Sequence, residues 1–123
     1  MTKFEAVFEI LLTFSAIDGD VDERELEVIF DFLNINEDSI DFNPEEVVEN
    51  FDLLNFDGKV REFQKAALFF NDVSTPKDKK IVLDFVVDLI MADGVIDDNE
   101  KDLFHMLCNI FGIDVSRYLA QRG

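Results

Sequence analysis

The chain has almost nothing to cross-link with and little to interrupt a helix. It holds one cysteine, one histidine, two prolines, five glycines and no tryptophan in 123 residues. A single cysteine, Cys108, excludes an intramolecular disulfide and fits a reducing compartment. It lies in the apolar run Phe104 to Cys108, where a buried, unreactive thiol is the default over a nucleophile. Scarce Pro and Gly, with few β-branched runs, favour helices over a sandwich or barrel. Bases are scarce too, at 11 against 28 acids, for a net charge of −17. Such a field repels phosphate backbones and anionic bilayers, so neither nucleic-acid binding nor direct membrane insertion is expected. The longest apolar stretch, Ile81 to Met91, carries Asp84 and Asp88 and reads as a packed helix. Phe4 to Leu12 is too short for a signal peptide and contains Glu5 and Glu9.

Apolar residues make up 48% of the sequence, enough for one domain over residues 1–123 with its own core. Fourteen of its aromatics are Phe, which needs no polar partner when buried. The acids are unevenly placed. Eleven fall between Arg24 and Lys59 with no base among them, whereas six of the eleven bases fall from Lys59 to Lys80. This distribution suits a solvated acidic face, or a surface for a cationic partner.

Periodicity predicts helix 1 from about Lys3 to Ile17, with Glu5, Glu9 and Thr13 as its polar stripe. Asp22 and Glu25 form a capping box for helix 2, with Val21 and Leu26 placed as a hydrophobic staple. Asn43-Pro44-Glu45-Glu46 opens helix 3. Asp57-Gly58 reads as a break before helix 4. Thr75-Pro76-Lys77-Asp78 opens helix 5, which runs to about Ala92. Asp97 and Glu100 cap helix 6, Gly112 stops it, and Asp114 caps a short last helix. The expected architecture is all-α: six to seven helices in a compact bundle.

A shift of 75 positions lays the chain over itself. Asp18-Gly19-Asp20-Val21-Asp22-Glu23-Arg24-Glu25 falls on Asp93-Gly94-Val95-Ile96-Asp97-Asp98-Asn99-Glu100. In the preceding helices Phe8 falls on Leu83, Glu9 on Asp84, Leu11 on Val86 and Phe14 on Leu89. Helices 1–2 and 5–6 therefore read as two copies of one hairpin, packed about a pseudo-two-fold with helices 3–4 on the flank.

Much of the motif serves folding alone. Gly stops a helix, the later Asp caps the next, and Glu closes a box that contributes about 1 kcal/mol. Asp18 and Asp93 differ. Each stands at a helix C-terminus, where the macrodipole makes an acid unfavourable by about 0.3–1 kcal/mol. A bound cation, a basic partner or the free amides of the next helix could each offset that.

The same run is the second half of an EF-hand loop, with Asp18, Gly19, Val21, Asp22 and Glu25 at loop positions five, six, eight, nine and twelve. Positions one and three would then be Phe14 and Ala16, or Leu89 and Met91. None of these side chains coordinates a metal, which excludes a standard site and leaves at most a degenerate EF-hand-like one. An open site for a weakly held divalent cation, calcium or magnesium, would draw on Asp18, Asp20, Asp22 and Glu25. The second copy offers Asp93, Asp97, Asp98 and Glu100.

The two motifs, Ala16 to Glu25 and Met91 to Glu100, resemble the duplicated signature of the tellurite-resistance TerB family. Its relatives include the N-terminal region of a membrane-anchored DnaJ-type co-chaperone. The first copy departs slightly, with Ile17 where Ala is usual. The resemblance spans most of the chain. It implies an all-helical, internally symmetric, cytoplasmic domain with a stress-response role, exerted through cation binding or protein contacts. The acids it carries over are Asp18, Asp22, Glu25, Asp93, Asp97 and Glu100.

No catalytic pattern stands beside it. There is no Gly-rich phosphate loop, cysteine cluster or nucleophile elbow. His105 aligns with Phe30 and reads as a packed or partly exposed helix residue rather than a base or ligand. The Lys77, Lys80, Asp84, Asp88 stripe reads as an exposed face with i,i+4 pairing. The expectation is a non-enzymatic domain, a monomer or weak dimer. It acts either by binding a divalent ion at its acidic turns or by presenting an acidic surface to a protein partner with a basic surface. A chaperone-associated domain is a third reading.

Overall fold

The computed structural model describes residues 1–17, 23–92, 94 and 96–122. Among the described residues seven α-helices follow one another: α1 (Lys3–Ala16), α2 (Glu23–Ile35), α3 (Pro44–Asp52), α4 (Phe56–Val73), α5 (Pro76–Met91), α6 (Asp98–Phe111) and α7 (Val115–Arg122). One 3-10 turn, Glu37–Ser39, sits in the acidic connector after α2. The described residues contain no strand.

Four helices start at the side-chain caps that the sequence predicts. Asn43 Oδ1 accepts from the amides of Glu45 at 3.0 Å and Glu46 at 3.3 Å, with Pro44 behind it. Thr75 and Asp78 close a full capping box at α5. Asp97 Oδ1 accepts from the Glu100 amide at 2.8 Å, and Asp114 Oδ1 from the Arg117 amide at 2.8 Å. Gly112 ends α6 in the left-handed region at φ 69°, which a Cβ would disfavour.

Asp57-Gly58 departs from expectation. It is not a break but part of the first turn of α4, capped by Asn55, whose Oδ1 accepts from the Gly58 amide at 2.8 Å. A Cβ on Gly58 would lie 3.1 Å from Asn55 Oδ1 and 3.2 Å from Leu54 Cβ, so a larger residue would press on the capping side chain. The capping Asn, which periodicity alone does not mark, decides where the helix begins.

Helix α1 runs through the middle of the domain. Every residue from Ala6 to Ala16 is buried, including Glu9 and Thr13 of the predicted polar stripe. Thr13 donates its hydroxyl proton to the Glu9 carbonyl at 2.7 Å, and Ser15 donates to the Leu11 carbonyl at 3.1 Å. Two polar side chains are thus satisfied within the helix's own backbone. The helix that does most to cover α1 is α4, which is therefore a core element rather than a flank. Helix α5 covers another side of α1, α2 packs on α5, and α6 packs mainly on α4.

Phenylalanine pairs join these elements. Phe14 meets Phe63 edge-on at 5.6 Å across α1 and α4, Phe32 meets Phe85 at 5.9 Å across α2 and α5, and Phe70 meets Phe111 at 5.7 Å across α4 and α6. Such pairs add about 0.5–1.5 kcal/mol each beyond the area they bury. Among the described residues no helix is long and apolar enough to cross a membrane.

Candidate functional site

Of the eight acids singled out from the repeat, four are described. Asp18, Asp20, Asp22 and Asp93 lie outside the described residues, as do Gly19, Val21 and Val95. Asp97 is the N-cap of α6, its carboxylate committed to the Glu100 amide. Asp98 is exposed at the first position of α6. Glu25 and Glu100, 75 positions apart in the sequence, are both buried, at 7% and 6% exposure. Gly94 takes the left-handed conformation at φ 75°, and its amide donates to the Met91 carbonyl at 3.1 Å, so α5 ends where the motif predicts.

No three His, Cys, Asp or Glu side chains among the described residues converge closely enough to hold a metal ion. Of the described four, Asp97 caps a helix, Glu25 and Glu100 are buried, and Asp98 is exposed. Cys108 is fully buried, and burial pushes its thiol up to about 11, so it carries no thiolate near neutrality. His105 is exposed on α6.

Sequence reasoning missed two carboxylate sites. At the first, Asp84 and Asp88 do not form the predicted stripe with Lys77 and Lys80. They turn to α7 instead. Arg122 Nη1 meets Asp84 Oδ1 at 3.0 Å, and Arg122 Nη2 meets Asp88 Oδ1 at 2.5 Å. The buried Tyr118 hydroxyl also donates to Asp84 Oδ1. Burial, then the hydrogen bond to Asp84, push the Tyr118 phenol well above its ordinary range. The available signal was Arg122 four residues after Tyr118, the chain's one tyrosine.

The second site centres on Glu9. It is 8% exposed, and its Oε2 is shielded from water with no hydrogen-bond partner. It lines a cavity of about 240 Å³ between α1, α3 and α4. Glu5, Glu62 and Asn50 add polar groups to that cavity, and Val47, Phe51 and Leu54 supply apolar wall. Burial, then the carboxylates of Glu62 and Glu5, push Glu9 from its ordinary 4.5 up to about 7. Lys65, 3.7 Å from Glu62 with 71% of its side chain exposed, and the chain's N-terminus act in the opposite direction.

The Tellurite resistance protein TerB family profile matches residues 4–122, nearly the whole chain. The protein belongs to the TerB family. Comparison with curated proteins and with solved structures returned no match. The all-helical architecture that the motif resemblance implied is the observed one, carried by seven helices.

Proposed function

We propose that this TerB-family domain is a non-catalytic binding module that presents carboxylates to a protein partner with a basic surface. One observation carries the reading: the Asp97 carboxylate of the repeated motif is committed to capping α6. One of the eight acids singled out from the motif is therefore occupied by folding, while the net charge of −17 remains to be met from outside. The family's description names tellurite resistance. A direct grip on that oxyanion runs against so negative a field, and the buried thiol of Cys108 is poorly placed for redox chemistry, so any contribution to resistance is indirect. A reducing, cytoplasmic location suits the single thiol.

The test is fluorescence anisotropy with a labelled octapeptide of alternating arginine and alanine. Binding is expected at about 50 mM NaCl and should weaken more than about tenfold near 300 mM, as screening of opposite charges requires. A peptide that stays unbound at low salt rejects the reading.

The second reading is a divalent cation at the acidic turns. It is favoured by the two buried carboxylates Glu25 and Glu100, which follow those turns at matched positions. In that case millimolar calcium or magnesium raises the melting temperature more than sodium chloride of equal ionic strength, and Asp18→Asn removes the excess. Equal effects of the two salts leave the basic-partner reading alone.

A further inference from the structure

The two missed sites explain each other. Under the 75-residue offset Glu9 corresponds to Asp84, and the residue corresponding to Arg122 is Val47. In the second copy Asp84 is met by the guanidinium of Arg122. In the first copy Val47 lines the cavity on which Glu9 also opens, and it brings no charge. Asp84 is thus met by a cation from α7, whereas Glu9 opens on a cavity whose lining residues include no base.

We propose that the cavity between α1, α3 and α4 is a guanidinium site, in which an arginine side chain of a basic partner takes the place beside Glu9 that Arg122 takes beside Asp84. This rests on the basic-partner reading and narrows it to one side chain and one cavity.

A buried carboxylate with an orphaned oxygen costs stability, so a fold that kept Glu9 only for packing would do better with an apolar residue of similar size. The chemistry of the walls selects the occupant. Val47, Phe51 and Leu54 can sheathe the methylenes of an arginine stem. The planar guanidinium has five donors and can engage two carboxylates at once, as Arg122 does with Asp84 and Asp88. A compact metal ion is a poorer occupant, because no trio of described acids converges on one point. Glu9 lines the cavity itself, so its carboxylate is within reach of an occupant there.

The groups acting on Glu9 are Glu5 on its own helix, Glu62 and Lys65 on α4, and the chain's N-terminus. From α3 the cavity receives neutral side chains, Val47, Asn50 and Phe51. An arriving cation would thus meet a net excess of acid and would hold Glu9 ionised. Binding should release a proton near neutral pH.

The full chain, with carbon-13 in its glutamate carboxyls, can be titrated with Nα-acetyl-arginine amide while the Glu9 resonance is followed by NMR. Nα-acetyl-citrulline amide, the neutral isostere, and magnesium chloride serve as parallel titrants. The arginine derivative is expected to move the Glu9 resonance saturably and to lower its titration midpoint by about one unit or more. The citrulline derivative should leave it in place. Glu9→Gln should weaken the arginine derivative at least about tenfold. Val47→Arg, which supplies the cation from within, should lower the Glu9 midpoint and abolish the response. Equal shifts from the arginine and citrulline derivatives overturn the proposal. So does saturation by magnesium with no response to the arginine derivative. If the basic octapeptide binds the native chain and Glu9→Gln alike, the cavity is excluded and the acidic-surface reading survives. If the octapeptide binds neither, both fall.

Discussion

The helix pairs α1–α2 and α5–α6, set 75 positions apart in the sequence, sit in different environments. Helices α1 and α5 end at Ala16 and Met91, and α2 and α6 begin at Glu23 and Asp98, each pair 75 positions apart. Lys3 and Asp78, separated by that same offset, pair with each other at 2.7 Å. The Lys3 ammonium, with the Thr75 amide behind it, holds Asp78 down to about 2. Packing then diverges. Helix α2 lies on α5, while α6 lies mainly on α4. Helix α1 is enclosed, whereas Asp88 on α5 faces solvent. Segments of similar sequence thus meet different neighbours, and those neighbours decide which of their polar residues meet water.

The sharpest way to break this comparison is to exchange equivalent residues. Thr13 is fully buried and its counterpart is Asp88. Thr13→Asp places an unpaired charge in the core and is expected to cost about 3–5 kcal/mol in urea unfolding. Asp88→Thr removes one exposed ion pair and should cost less than about 1 kcal/mol. Similar costs for the two would mean that α1 is no more enclosed than α5.

The self-satisfied site comes next. Tyr118 is 4% exposed and donates to Asp84. Tyr118→Phe is expected to lose about 2 kcal/mol, the usual scale for a hydrogen bond to a charged group. A neutral result would leave Arg122 as the sole support of Asp84.

The unsatisfied site has a pH signature of its own. The folded state holds Glu9 protonated up to about 7 against an ordinary 4.5. Its contribution is therefore fully present below about 4.5 and declines as pH rises through about 7. Stability should fall by about 1–2 kcal/mol across that window, after allowing for the carboxyl's partial contact with water. The difference between the native chain and Glu9→Gln isolates this slope from the general repulsion among the acids. Parallel curves would show that Glu9 titrates normally.

The smallest expected effect concerns the motif. Asp97→Ala should cost about 1 kcal/mol through loss of the α6 cap, and exposed Asp98→Ala less than about 0.5 kcal/mol.

Helix caps were legible in the sequence because they are local: Asn43, Thr75, Asp97 and Asp114 each act on amides two or three residues away. The family was legible because the motif occurs twice at a fixed interval. What escaped was long-range. Periodicity places Glu9 and Thr13 on a polar stripe, but a helix covered by several neighbours has no outer face, and the sequence of α1 does not say how many neighbours it has. The partner of Asp84 lies 38 residues away on α7, beyond any local pairing rule. The Asp57-Gly58 pair misled because it copies the motif's first two letters, while the deciding residue, Asn55, stands in front of it.

Cys108 gives the molecule a clock. The thiol is fully enclosed, and its sulfur stays protonated in the fold. An alkylating dye can reach it when α6 comes away from its neighbours, so the rate of modification reads how often the native state opens. Since the chain has one sulfhydryl, each modification event is a single unambiguous count. A ligand that locks the helices together would slow that count even where it leaves every spectrum unchanged.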